Sequence, residues 1–203
     1  MNLAGPFRTK AGFILASASP RRRALLKDLG LDFEILEARI EERPEPGETP
    51  QEFVQRAASD KASVISSQNP ASWVLGADTV VVHGNRILGK PKNSEEALQV
   101  LLYLSGRKHL VHTGFCLKNA EEQASVSRVV TTEVSFFQFT REFAAAYVAT
   151  GEPLDKAGAY GIQGIGGFLV EKINGSYSNV VGLPLVEVIQ ELLHFKVVVP
   201  WEE

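Results

Sequence analysis

Cysteine is almost missing from this chain. Cys116 is the single one in 203 residues, so no intrachain disulfide can form. Its place in an apolar stretch suits a small core residue better than a nucleophile, and a chain without an internal disulfide suits a reducing compartment. Long hydrophobic runs are absent as well: no stretch nears the roughly 20 apolar residues that a membrane helix needs. Met1–Gly12 carries basic residues but no apolar segment ahead of a small-residue cleavage site. It is therefore expected to be a frayed tail and not a signal peptide, and the protein is expected in the cytoplasm. Nor is there an excess of positive charge. A formal net charge of −3 and a pI near 5.9 exclude broad nucleic-acid coating, which needs a positive field, and no aromatic-basic stripe invites it. A small anionic ligand needs only a local cluster of positive groups and is not excluded. The four histidines, His83, His109, His112 and His194, have no metal-ligand spacing, and no Ser/His/Asp set can be assembled, so they are read as structural or surface residues.

What is present is an ordinary globular balance, 44% hydrophobic and 22% charged, in a chain long enough to bury a real core. Strand-like and helix-like patterns alternate. Phe13–Ala16 predicts a buried strand, followed by a short helix through Leu25 and Leu26 to a stop at Gly30. Phe33–Leu36 is a weaker strand and Glu41–Gly47 an acidic, proline-rich loop. Thr49, Pro50 and Glu52 open a helix expected to reach about Ser66, with Phe53, Val54, Ala57, Ala62 and Ile65 on its inner side. Trp73–Leu75 and Val80–Val82 are expected as strands broken at Gly76-Ala77-Asp78-Thr79, with a tight turn at His83–Asn85 leading into Arg86–Leu88. Asn93 opens a helix that Ser105-Gly106 ends. His109–Lys118 and Ser125–Phe137 form a strand pair around a polar turn. Thr140 starts a helix that stops near Gly151, and a glycine-rich loop runs from there to Gly167. A strand over Phe168–Ile173, a turn at Asn174-Gly175 and a helix from Pro184 to Leu193 complete the pattern. The expected fold is α/β: one domain over 13–195 with a mixed sheet flanked by helices, because hairpins and crossovers both occur, and a C-terminal tail at 196–203.

Three regions carry chemistry. Ser17-Ala18-Ser19-Pro20-Arg21-Arg22-Arg23 follows the first strand. A helix start presents unpaired N–H groups and a partial positive charge, and proline is tolerated in the first turn. Hydroxyls and guanidiniums added at that corner make an anion site, for phosphate above all, where a surface helix would need none of them. Asp78 sits between two apolar runs. A carboxylate there is costly unless paired or metal-bound; it can bind Mg²⁺, take a proton from water, or simply cap its own turn. Glu41 and Glu42 could add oxygen ligands or remain solvated loop acids. Lys90 is held between Gly89 and Pro91, a setting that suits an anion. Gly84 to Lys90 has P-loop spacing, but Pro91 stands where the Mg²⁺-binding hydroxyl would be and no helix opens there, so a P-loop is rejected. Asp155–Gly167 is glycine-dense, which lets backbone approach a ligand or form a lid. Within it, Gln163 offers a donor and an acceptor to a base edge, although the run lacks the dinucleotide-binding spacing.

Taken together, Leu15-Ala16-Ser17-Ala18-Ser19-Pro20-Arg21-Arg22, Gly76-Ala77-Asp78-Thr79-Val80-Val81, Gly89-Lys90-Pro91, Leu104-Ser105-Gly106, His112-Thr113-Gly114, Gly151-Glu152-Pro153-Leu154-Asp155-Lys156-Ala157-Gly158-Ala159-Tyr160-Gly161-Ile162-Gln163-Gly164 and Asn179-Val180-Val181-Gly182-Leu183-Pro184 resemble the Maf family of nucleoside triphosphate pyrophosphatases, from Phe13 to about Leu193. The resemblance implies an elongated body with a curved sheet and a central cleft, related to the inosine-triphosphate pyrophosphatases, and commonly a homodimer. It implies cleavage of a nucleoside triphosphate between its α and β phosphates with a divalent cation, Mg²⁺ or Mn²⁺, for which Asp78 and Glu42 are the candidate ligands. On this likeness Asp78 matches the proton acceptor. Ser17, Arg22, Glu42, Lys61 and Lys90 match positions of substrate binding or catalysis, and Arg21, Thr79 and Gln163 match positions of base selection. The Gly-Ile-Gln-Gly loop resembles the branch acting on dTTP and UTP. A nucleotide-binding regulator of cell division is the alternative, suggested by the family's older association with septum formation. The intact acidic and basic set weighs against a binder without turnover.

Overall fold

A computed structural model describes residues 5–201. The chain begins with strands β1 (Phe7–Thr9) and β2 (Phe13–Leu15), then helix α1 (Pro20–Asp28), strand β3 (Glu34–Ile35) and helix α2 (Pro50–Gln68). Strands β4 (Trp73–His83) and β5 (Arg86–Leu88) precede helix α3 (Ser94–Leu104). Strands β6 (Lys108–Asn119) and β7 (Ala124–Phe136) lead to helix α4 (Arg141–Ala149). Three short 3₁₀ segments follow, at Glu152–Asp155, Ala157–Ala159 and Ile165–Leu169. Strand β8 (Val170–Asn174), helices α5 (Tyr177–Val181) and α6 (Leu185–His194) and strand β9 (Val198–Pro200) complete the order.

The larger sheet runs β3-β2-β4-β6-β7-β8, with β5 on β4. It is mixed: β2 is parallel to both β3 and β4, while β5 is antiparallel to β4 and β8 to β7. The α/β class with a mixed sheet is thus as expected. The contacts gather into two compact units. Among the described residues, the first comprises 5–78, 113–129 and 182–201. The second comprises 79–112 and 130–181.

In the first unit, local chemistry sets the helix starts. Ser19 accepts from the Arg22 N–H and Pro20 opens α1. Thr49 and Glu52 form a reciprocal capping box ahead of Pro50 in α2. The inner face of α2 is apolar as the spacing predicts, with Phe53, Val54, Ala57, Ala62 and Ile65 buried, but it also buries Lys61. Part of its core joins Ile14, Ala16, Ala58, Ala62, Ile65, Val74 and Cys116, so the cysteine is a core residue. In the second unit, α3 packs on α4. That core gathers Val81, Leu101, Leu104, Val111, Val134, Phe136, Tyr147 and Leu169.

Four expectations change. The break foreseen at 76–79 does not exist: β4 is continuous and mostly buried. Gly76 and Ala77 do not interrupt pairing; their small size admits a helix. A Cβ on Gly76 would collide with the Ala58 carbonyl and lie 2.8 Å from the Ala62 nitrogen, and one on Gly114 would meet the Val54 carbonyl. Close approach of α2 to β4 and β6 is what these two glycines allow. The frayed tail is also corrected. Within 5–12, β1 pairs antiparallel with β9, Phe7 opposite Pro200 and Thr9 opposite Val198, because each short strand satisfies the other's backbone groups; this places part of 196–203 in a sheet as well. Positions 1–4 and 202–203 lie outside the described residues. The glycine-rich stretch carries 3₁₀ turns where a plain loop is expected, and α5 has no counterpart in the apolar periodicity because it is a single short turn pair.

Adding one methyl group at position 76 should lever α2 away from β4. Gly76→Ala is expected to lose about 2 kcal/mol or more of unfolding free energy in urea titrations.

Candidate active site

Asp78 lies inside β4, 7% exposed, on a strand whose neighbours are apolar. A bare carboxylate there would cost several kcal/mol. It is tolerated because Lys61, on the face of α2 that Gly76 lets approach, donates to Asp78 Oδ1 at 2.8 Å. The same ammonium lies 2.9 Å from Glu42 Oε2 and 3.4 Å from the Ala77 carbonyl. An ammonium has three donors, and these three acceptors match them. The cluster is graded in depth: the Lys61 and Asp78 side chains are 8% and 10% exposed, the Glu42 side chain 44%. Glu42 and Asp78 also interact with each other. Glu41, the other acid of that loop, turns to Arg43 at 3.0 Å on the surface.

Arg22 completes the cluster from α1. Its Nε donates to the Gly182 carbonyl at 2.7 Å; its Nη1 donates to the Ala77 carbonyl at 2.8 Å and to Ser17 Oγ at 3.1 Å. Ser17 Oγ in turn accepts from the Ser19 N–H at 3.3 Å. Arg22 is buried, so it ties the start of α1, the Ala77 peptide of β4 and the Gly182 turn together from inside. Gly182 has φ of 127°, a left-handed conformation that glycine adopts without strain.

The electrostatics separate the two carboxylates. Burial is the largest influence on Asp78 and pushes its carboxyl above the ordinary value, against the opposing charges of Lys61 and Arg22; the Glu42 charge pushes the same way as burial. Burial acts upward on Glu42 too, but the hydrogen bond and charge of Lys61 outweigh it and hold Glu42 below its ordinary value. Burial lowers the Arg22 guanidinium, countered by Asp78 and Glu42. The result is an inner acid disposed to hold or accept a proton, beside an outer one disposed to stay ionised.

The structure therefore brings together Ser17, Arg22, Glu42, Lys61 and Asp78, all within the first unit. Arg21 lies in the first turn of α1, half-buried. Thr79, Lys90 and Gln163 belong to the second unit: Thr79 follows Asp78 on β4, Lys90 is exposed just after β5, and Gln163 is exposed in a turn of the glycine-rich stretch. Sequence reasoning alone did not reach the Ala77 and Gly182 carbonyls or the glycines behind them. A glycine inside an apolar strand pattern was the available signal for Gly76. Backbone acceptors leave none.

Removing the ammonium leaves two carboxylates sharing one site. One of them then takes up a proton, with a folded pKa above its unfolded value. Such a group supports the fold below the unfolded pKa and loses that support as pH rises through the folded pKa. Lys61→Met should accordingly cost about 3 kcal/mol near pH 8 and less near pH 5, read by urea unfolding at both.

The chain is similar to known proteins over most of its length. A protein of Desulfotalea psychrophila named dTTP/UTP pyrophosphatase is 51% identical over 185 residues, covering 91% of this chain and 95% of the relative. One of the same name from Yersinia pestis is 52% identical, covering 89% and 91%. Among solved structures, the Staphylococcus aureus Ham1 protein aligns with a TM-score of 0.44 and 14% identity over 62% of this chain and 71% of that one. The family description "Maf-like protein" matches residues 12–195. With that span and that identity over nine-tenths of its length, the chain belongs to the Maf family.

Proposed function

We propose that this protein hydrolyses dTTP and UTP, and modified pyrimidine nucleotides of the same shape, to the nucleoside monophosphate and pyrophosphate. The observation that carries this is the buried Asp78 held by Lys61 beside the more exposed Glu42, in a chain similar to proteins named for that activity. Water adds to the α-phosphorus, the bond from that phosphorus to the bridging oxygen breaks, and pyrophosphate leaves with the bond's electron pair. Asp78, whose proton affinity burial raises, accepts the water's proton when in its ionised form. Lys61 keeps the acid in place and offsets its charge. Arg22 positions the Ala77 peptide next to it, and with Ser17 fixes the start of α1, where a phosphate group can meet helix N–H groups. Lys90 is assigned to the phosphate tail, and Arg21, Thr79 and Gln163 to the base, on the family likeness.

The acids fit a hard divalent cation. Magnesium takes one or two protein carboxylates together with phosphate oxygens and water, so a group of three or more acids, absent among the described residues, is not required. Glu42, which stays ionised and partly exposed, would hold it with Asp78 beside. When bound, Mg²⁺ or Mn²⁺ supplies neutralisation of the charge spread over the triphosphate oxygens. We place the enzyme in the cytoplasm as a homodimer, a state that sedimentation of the purified protein checks.

A nucleotide panel with Mg²⁺ or Mn²⁺ tests the reaction. Monophosphate and pyrophosphate released fastest from dTTP and UTP are expected; orthophosphate and a diphosphate would overturn the cleavage position. Asp78→Asn should lower turnover by about a thousandfold while largely keeping affinity for an α,β-methylene analogue. Near-normal turnover at saturating Mg²⁺ would remove Asp78 from the chemistry. In the native protein kcat/KM should fall with a one-proton slope on the acid side, starting above the usual carboxylate range, because protonated Asp78 cannot accept a proton.

A further inference from the structure

The second unit contains a partly buried polar clamp that takes no part in the chemistry above. Glu152 follows Gly151 at the end of α4, and its carboxylate points into the glycine-rich stretch. Oε2 accepts from the Ile165 N–H at 2.8 Å, and Oε1 accepts from the Gly166 N–H at 2.9 Å. Oε1 also accepts from the Tyr147 hydroxyl at 2.8 Å, and that same hydroxyl accepts from the Gly161 N–H at 3.2 Å. One carboxylate and one phenol thus hold both ends of a short turn, Gly161 before Gln163 and Ile165-Gly166 after it. Within the turn the Gly164 N–H donates to the Gly161 carbonyl at 3.3 Å. Gln163 itself is exposed at the tip.

The glycines are matched to this clamp. A Cβ on Gly164 would come 2.5 Å from Glu152 Oε2, and one on Gly166 would strike the Tyr147 hydroxyl. The Tyr147 ring is fixed in turn, buried and edge-on to Phe168. A run of glycines has more backbone freedom than any other sequence, and a side chain carried on it has no defined direction. Charge-assisted hydrogen bonds donated by backbone N–H groups to a carboxylate remove that freedom.

We infer that Glu152, with Tyr147, is a positioning residue for base discrimination: the pair locks the Gly161–Gly166 turn so that Gln163 presents its amide in one orientation. This rests on Gln163 reading the base, as proposed above. Glu152 and Tyr147 touch neither substrate nor the reacting atoms. Their contribution is the narrowness of the orientation from which Gln163 can accept and donate, because a site built to hydrogen-bond one base edge rejects others only when its polar groups are fixed.

Steady-state kinetics of the full-length protein with dTTP and dATP test this, using Glu152→Gln, Tyr147→Phe, Gln163→Ala and the double variant Glu152→Gln/Gln163→Ala. Glu152→Gln puts an amide donor where an N–H needs an acceptor; Tyr147→Phe keeps the ring and removes only the hydroxyl, and serves if the first variant does not fold. Each should raise KM for dTTP and cut the dTTP:dATP ratio of kcat/KM by about tenfold, with kcat for dTTP held within about twofold. The double variant should discriminate no worse than Gln163→Ala alone. A ratio unchanged in both clamp variants but collapsed in Gln163→Ala overturns the clamp and leaves the base assignment standing. A ratio unchanged in Gln163→Ala overturns both. A general loss of kcat for every nucleotide with the ratio intact marks a merely structural role and also overturns the inference.

Discussion

One ammonium in a crowded place governs the first unit. Lys61 is buried at the middle of a mostly apolar helix face, and its desolvation is tolerable only because two carboxylates and a carbonyl meet it. Asp78 could not sit buried as it does without the lysine, and the lysine could not be buried without its acceptors. The dependence extends outward. Lys61 reaches Asp78 because Gly76 and Gly114 let α2 rest on the strands, and the Ala77 peptide that completes the lysine's set is also gripped by Arg22 from α1. A helix start, a long strand and a second helix are thereby tied to one small polar cluster, and a disturbance of any of them reaches Asp78.

The cluster also divides labour between two acids of similar chemistry. Depth makes the difference. The inner acid loses solvation and is driven toward its protonated form; the outer acid keeps contact with water and keeps its charge. On the proposed reading this difference has a use, since a general base gains from a raised proton affinity and a ligand for a hard cation from a lowered one. A single lysine placed between them limits the shift of the first and reinforces that of the second.

Much of this was legible from residue order. The caps at Ser19 and Thr49, the inner face of α2 and the anion-suited start of α1 follow from local rules that act within a few residues. Asp78 stood out because a carboxylate between two apolar runs demands an explanation. What local rules misjudged was β4. Gly76, Ala77 and Asp78 read as a break because each is a poor strand former on its own, and only the partner helix and its lysine make them fit. Propensity describes a residue alone; here the cost of an aspartate in a strand is cancelled by a group 17 positions earlier. The Phe7–Thr9 strand escaped for a similar reason, since three residues of modest character become a strand only against Val198–Pro200. The Glu152 clamp was invisible because backbone N–H groups leave no trace in sequence beyond the glycines that make room for them.

The pairing of β1 with β9 has a consequence for biosynthesis. The second unit draws on residues between 79 and 181, all of which leave the ribosome before the rest of the first unit is available. The first unit includes the later segment 182–201, and the Gly182 carbonyl that anchors Arg22 lies at the head of that stretch. Translation at about 5–20 residues per second therefore puts several seconds between the early strands and helices and that stretch, and a nascent chain stalled short of Gly182 would lack the carbonyl that anchors Arg22.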